Sequence, residues 1–293
     1  MNFGGIDDER YSAIGTADVL VFPVSYEGTV SDGVGTGAGA MAIIEASRNM
    51  ELYEEETDAE VYKVGIYTLP EFQARKTPDM MMADLYSYTK DLLALDKFIC
   101  MIGGEHSVSA PIIQAHNEKY ENLSVLQIDA HADLRDTYDG TPHSHASIMA
   151  RVVKDMHIPS VQVGIRSMSG DEARSLKEDL PTRIFWARDI VGKTDWIDEA
   201  IDSLTENVYL TIDIDGLDPS IMPTTGTPEP GGLGWYETLS LIRSLAEKKR
   251  VVGMDLVEYS YVENYDSPAF LCAKLIYKSL AYIFRGDERT VLR

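Results

Sequence analysis

The sequence predicts an α/β protein in which a parallel β-sheet carries helices on both of its faces. Short apolar runs bounded by turn residues recur along the whole chain, at 19–24, 61–67, 98–102, 124–128, 161–165, 183–186, 208–212 and 251–256. Their hydrophobicity is continuous rather than alternating, as strands covered on both faces require. The segments between them show helical spacing, and strand alternating with helix in this way implies a parallel sheet.

At 293 residues the chain is expected to form one domain, 1–293, because α/β folds commonly hold about 200 to 250 residues or more as a unit. With 44% hydrophobic and 25% charged residues, it has the material for a large core and the charge of an ordinary soluble protein. The 26 basic and 48 acidic side chains leave a formal charge of −22. That balance argues against nucleic acid or an anionic membrane as a partner and favours a small cationic substrate, although acid also serves solubility alone. Cys100 and Cys272 lie in apolar runs and form no Cys-x-x-Cys pair, as buried thiols of a reducing compartment would. The opening MNFGGIDDERYS has no basic region followed by an apolar stretch, and no run approaches the ~18 apolar residues of a membrane span. The expected location is the cytoplasm.

Between the first two strands, SDGVGTGAGA is a glycine-rich loop leading into a predicted helix at 40–53. Its spacing is not the Gly-x-Gly-x-x-Gly of a dinucleotide cradle, so a flexible or closely packed loop is expected. The acid run EEETDAE reads as a solvated helix end. Residues 79–95 read as an amphipathic helix, with Met82, Leu85, Tyr86, Thr89, Leu92 and Leu93 three or four apart. FICMIGGEHSVSAP is a strand followed by two glycines, which permit a tight turn and leave His106 facing a crevice. LQIDAHADLR ends the next run in Asp129, His131 and Asp133, and the turn-rich DTYDGTPHSHAS brings His143 and His145. VGIRSMSGDEA sets Arg166 and Ser167 at a strand end, VYLTIDIDGLDP carries Asp213 and Asp215, and RVVGMDLVEYS carries Asp255 and Glu258. A final packing helix opens with Ser267 as N-cap and Pro268 at its first position. His116 and His157 read as surface or helix-end residues.

Side chains two apart on extended backbone point the same way, so Asp129, His131 and Asp133 converge, as do Asp213 and Asp215. With His106 they make six donors from three strand ends, at the edge of the sheet where such folds place their chemistry. Four crowded carboxylates repel one another unless divalent cations neutralise them, and a two-metal site follows as a hypothesis. The set is hard, oxygen-rich and free of thiolate, which suits Mn(II) better than structural zinc; Zn, Co and Fe also match these ligand types. Ions about 3.5 to 4 Å apart activate water near neutral pH.

The segments GGEH, DAHADLR and TIDIDGLDPSIMPTTGTPEPGGL resemble the three signature regions of the ureohydrolase family, which includes arginases and agmatinases. PVSYEGTVSDGVGTGAGAMAIIEAS is similar to its amino-terminal region and GMDLVE to its carboxy-terminal one, so nearly the whole chain is covered. The resemblance implies an arginase-like three-layer α/β/α sandwich with a mostly parallel, roughly eight-stranded sheet. It also implies two Mn(II) ions per subunit and hydrolysis of a guanidino group to urea and an amine. His106, Asp129, Asp133 and Asp213 would hold one ion, and His131, Asp129, Asp213 and Asp215 the other. Asp133 would relay a proton to the departing amine and His145 would shuttle protons to solvent. Glu258 would pair with the guanidinium, and Thr227 would line its pocket. On residue chemistry alone, His145 is as readily a solvated loop histidine and Glu258 an ordinary ion-pair partner. Homo-oligomers, trimers or hexamers, are the assembly implied.

Arginases carry an asparagine- and serine-rich stretch after the metal triplet that recognises the amino acid's carboxylate and amino groups. Here that region reads LRDTYDGTPHSHAS, whose added acid favours a cation without a carboxylate. Agmatine is therefore the expected substrate, with putrescine and urea as products. Arginine and other guanidino acids are alternatives within the family. From a different class, the alternative is a catalytically silent oligomeric metalloprotein, whose usual mark is a lost ligand. GTGAGAMAI lacks the basic residue and proline often found in relatives, so contacts they make there are not carried over.

Overall fold

The computed structural model describes residues 1–29, 35–73 and 77–291. Its strands are β1 (Val19–Ser25), β2 (Ile66–Thr68), β3 (Phe72–Gln73), β4 (Phe98–Ile102), β5 (Leu123–Ile128), β6 (Ser160–Ile165), β7 (Thr182–Trp186), β8 (Asn207–Asp213) and β9 (Arg250–Val257). They form a sheet in the order β2-β1-β4-β9-β8-β5-β6-β7, with β3 also beside β1. Every pairing is parallel.

Continuous apolar strands divide their side chains between two cores, because successive residues point to opposite faces. Val19 and Val21 of β1, with Leu126 and Ile128 of β5, join one cluster. Leu20, Phe22 and Val24, with Leu123 and Val125, join the other. The first face is covered by the helices Thr36–Ser47, Trp235–Lys248 and Ser267–Ile283, through residues such as Ile43, Leu245 and Leu275. The second is covered by Pro78–Leu93 and Ser109–Lys119, through Met81, Leu85 and Ile112. Each fully buried aliphatic side chain contributes about 1.5–3 kcal/mol, enough for tens of them to fix three layers.

Several local expectations are corrected. The second run is a short 3-10 turn, Val61–Val64, before the three-residue β2; Gly65 between them has φ 88° and redirects the chain. The two-residue β3, too short to show as an apolar run, brings the strands among the described residues to nine. The first long helix spans Thr36–Ser47 rather than 40–53, and Asp266, not Ser267, is the N-cap of the last. Residues 31–34 of the glycine-rich loop lie outside the described residues. The acid run is not a solvated helix end: Glu54 is buried against the Lys278 ammonium, which also meets Glu55 Oε1 at 2.9 Å and Glu56 Oε1 at 3.1 Å. His116 is fully buried, edge-on to the Tyr209 ring with centroids 4.8 Å apart, whereas His157 is exposed.

The feature that positions the site is the order β4-β9-β8-β5 at the middle of the sheet. Four strands far apart in sequence lie side by side, and the segments leaving their carboxyl ends meet.

Candidate metal centre

Each donor leaves the end of one of these strands. His106 follows β4 through Gly103 and Gly104. A Cβ on Gly104 would lie 2.0 Å from the Tyr26 carbonyl oxygen, so only glycine lets this turn pack. Asp129 stands directly after β5 and Asp213 is the last residue of β8. A Cβ on Gly216 would come within 2.8 Å of the Asp129 amide nitrogen, and this close approach brings the two acidic segments together.

The carboxylates are oriented by the backbone they border. Asp129 Oδ1 accepts from the His131 amide at 2.6 Å and Asp213 Oδ1 from the Asp215 amide at 3.0 Å. Asp215 Oδ1 accepts from the Ala130 amide at 3.0 Å, and the Gln127 amide side chain donates to Asp129 Oδ2 at 2.6 Å. The remaining oxygens converge on two imidazoles. His106 Nδ1 lies 3.3 Å from Asp129 Oδ2, 3.1 Å from Asp133 Oδ2 and 3.3 Å from Asp213 Oδ2. His131 Nδ1 lies 2.9 Å from Asp215 Oδ2 and 3.7 Å from Asp129 Oδ1. All six sequence-predicted donors are therefore gathered: His106, Asp129 and Asp133 form one potential ligand group, Asp129, His131 and Asp215 another, and Asp213 joins the first through His106.

Two observations fit this cluster to cations. His106 Nδ1 is buried and makes no hydrogen bond, despite three carboxylate oxygens within 3.3 Å. The side chain instead engages its other nitrogen: Nε2 is 3.0 Å from Thr211 Oγ1, which donates to Asp255 Oδ1 at 2.7 Å. Tyr209 donates to the second Asp255 oxygen at 2.8 Å. With the Thr211 proton committed to Asp255, Nε2–H of His106 is the donor and Nδ1 is left for a ligand, the usual support behind a metal-binding histidine.

Electrostatics agree. Burial, then the neighbouring Asp215 and Asp129, raises the Asp213 pKa well above the usual carboxylate range. Burial and Asp129 raise Asp215 as well and push Asp133 up to about 7. Against their own burial, the two imidazoles are raised by these carboxylates, His131 to about 12. The cluster thus has more negative charge than its histidines offset, a setting in which divalent cations displace protons.

Around these donors lies a cavity of about 320 Å³ whose lining includes Asp133, His145, Thr227 and Glu258. Glu258 follows β9 and accepts the His106 amide on Oε1 at 2.6 Å; burial pushes its pKa up to about 8. Glu258 (φ 65°) and Asp133 (φ 53°) both occupy the left-handed backbone region, strain of order 1–3 kcal/mol each that the surrounding packing sustains. His145 opens a 3-10 turn, with Nδ1 3.3 Å from Thr29 Oγ1, and burial lowers its pKa. Thr227 is exposed at the rim. His143 is absent from this lining.

Sequence reasoning gave no role to Thr211, Gln127, Glu105 or Arg166. Glu105 is fully buried; its carboxylate takes the Gly28 and Thr29 amides, both at 2.6 Å, and so fixes the segment that contacts His145. The Arg166 guanidinium donates to the carbonyls of Asp215 at 2.8 Å and Glu229 at 2.6 Å, bracing the loops on that side. The available signal for Thr211 and Gln127 was a polar residue inside an apolar run, which burial makes costly unless it is bonded.

A family model described as the arginase family matches residues 17–281. The chain belongs to the arginase family. Within it, this is a ureohydrolase of the agmatinase type. It is 39% identical over 286 residues to an N(1)-aminopropylagmatine ureohydrolase of Synechocystis sp., covering 94% of this chain and 92% of that one. It is 35% identical to an agmatinase of Bacillus cereus, covering 84% of this chain and 85% of the other. The agmatine ureohydrolase structure of Thermoplasma volcanium superposes with a TM-score of 0.83 at 25% identity, over 97% of this chain and 95% of that chain. The arginase-like parallel sheet and its helix layers are thus shared with family members. Among the described residues, no helix is long and apolar enough to cross a membrane.

Proposed function

We propose that this ureohydrolase cleaves the guanidino group of an amine-tailed guanidine, releasing urea and a polyamine, with two Mn(II) ions in the cluster. The observation that carries this is the pair of donor groups sharing Asp129 beside a cavity that also holds Glu258. His106, Asp129, Asp133 and Asp213 would hold one ion, and Asp129, His131, Asp213 and Asp215 the other. When bound, such a pair supplies Lewis acidity and an activated water near neutral pH.

The chain's own groups do the rest. Glu258 has one oxygen committed to the His106 amide, and its other oxygen faces no partner among the described residues; it holds the guanidinium by charge-assisted hydrogen bonds. Thr227 contributes a hydroxyl at the rim of the same pocket. Asp133, beside His106, carries the proton to the departing amine. His145 is held neutral by burial and takes up protons between the cavity and solvent.

Agmatine is the substrate that the acidic LRDTYDGTPHSHAS stretch favours. The 39% relative, an N(1)-aminopropylagmatine ureohydrolase, supports a second reading, the longer aminopropylated guanidine. Urea release with Mn(II) from both compounds, arginine and 4-guanidinobutyrate tests the choice. One of the amine-tailed compounds should lead by a wide margin. Arginine in the lead would make the chain an arginase, and no turnover with metals bound would make it a catalytically silent metalloprotein. We place the enzyme in the cytoplasm, on its two buried free thiols, and as a trimer or hexamer, which sedimentation would test.

A further inference from the structure

The cavity has three charged side chains in its wall beyond the donor set and Glu258: Arg135, Glu172 and Glu229. Two of them are spent. Arg135 Nε lies 3.6 Å from Glu172 Oε2, and its guanidinium sits 5.2 Å from the Tyr138 ring centroid. Glu172 also accepts the amides of Leu134 at 3.0 Å and Ser169 at 2.6 Å, which makes it a structural cap. Glu229 differs. Its side chain is half-buried, and its carboxylate makes no hydrogen bond or ion pair among the described residues.

That idle carboxylate stands on a braced backbone. The Glu229 carbonyl accepts from Arg166 Nε at 3.1 Å and Nη2 at 2.6 Å. Asp218 grips the amides of Gly231 and Gly232 at 2.9 and 3.1 Å, and Pro228 and Pro230 fix φ on either side. Nothing in the loop requires an acid at 229 to hold its shape. A carboxylate on a cavity wall that feels Arg166 only through space, with no hydrogen bond or ion pair of its own among the described residues, remains available to a cationic ligand, and the braced backbone has positioned it in advance.

We infer that Glu229 is a specificity residue that binds the ammonium at the tail of the substrate, at the end away from the guanidine. The inference rests on the guanidine-hydrolase reading of the site and adds to it the residue that selects amine-tailed over carboxylate-tailed compounds. Neutral tails gain nothing from this contact, and anionic tails are repelled by it.

The test compares wild type with Glu229→Gln, both Mn(II)-loaded, on agmatine, N(1)-aminopropylagmatine and butylguanidine, which lacks the tail amine. The variant should lose about 10-fold or more kcat/KM on the amine-tailed compounds relative to its loss on butylguanidine, chiefly through KM, the scale of one charge-assisted hydrogen bond. Glu229→Arg should shift the preference toward 4-guanidinobutyrate. Equal losses on all three guanidines, or none on the amine-tailed pair, would overturn the assignment. Calorimetric binding of putrescine and spermidine gives a readout without turnover, and Glu229→Gln should weaken both by about 10-fold. If wild type hydrolyses no guanidine, the reaction assigned to the site fails, and the calorimetry alone judges Glu229: equal binding by both proteins would overturn it.

Discussion

Two acidic clusters, one buried throughout apart from the half-buried His131 at its edge and one buried only at Glu54, have opposite solutions to the same electrostatic problem. Glu54, Glu55 and Glu56 surround Lys278, whose side chain is 3% exposed, and Tyr282 and Arg243 complete the shell on Glu56 at 2.9 and 3.1 Å. Asp129, Asp133, Asp213 and Asp215 are equally crowded, yet no lysine or arginine forms an ion pair with them among the described residues; they meet only His106 and His131. In the first cluster the chain supplies its own cation. Lys278 holds Glu55 down at about 2, while burial and mutual repulsion raise Asp133, Asp213 and Asp215. What separates a structural knot from a metal site is thus whether the fold delivers a neutralising ammonium, not how many acids it gathers.

Exchanging the demands on the two clusters should expose the difference. Asp213→Asn should remove metal and lower urea formation by about 10³-fold or more, while the metal-free protein unfolds at nearly the same denaturant concentration as wild type. Metal analysis and urea denaturation read the two halves, and a large loss of metal-free stability would blur the distinction. Lys278→Met leaves Glu54 buried without its partner and should cost about 3–5 kcal/mol of stability, with metal content and kcat/KM retained. Loss of metal in that variant would show that the clusters are one system.

His116 is another buried titratable group, with no acidic side chain paired to it among the described residues. Burial pushes its pKa down to about 4, from an ordinary value of 6.5. Between these values the unfolded chain holds the proton and the folded chain does not. Stability therefore falls by about 3 kcal/mol as pH drops from about 6.5 to about 4, and is unaffected by this group at higher pH. Denaturation across that range should show the His116→Gln variant losing about this much less than wild type. The smallest effect is expected behind the metal cluster. Thr211→Val removes the acceptor that orients His106 and should weaken metal binding by about 10–100-fold, with Thr211→Ser restoring it. Unchanged affinity in the valine variant would mean that Nδ1 is aimed by packing alone.

The donors themselves were legible in the sequence from their residue types and their place at the ends of apolar runs, although Asp129, His131 and Asp133 lie beyond β5 and Asp133 has left-handed backbone, so a turn rather than strand periodicity brings them together. The neighbours of those strands were not. That β9 lies between β4 and β8, carrying Glu258 to the donors, depends on long-range pairing that no single segment encodes. The acid run at Glu54 looked solvated because its neutralising partner lies more than two hundred residues away. His116 looked peripheral for a similar reason: its burial comes from Tyr209 and the close backbone of Gly253 on other strands, while its Nδ1 bonds only to its own helix at Ile112.

On the proposed function, two divalent ions take the place of the cation that the aspartate cluster lacks and activate water against a guanidinium. Metal content per chain, determined on protein whose urea release from agmatine or N(1)-aminopropylagmatine has been restored with Mn(II), tests it directly. Two ions per active chain are expected. Full activity with one ion, or with none, would contradict it.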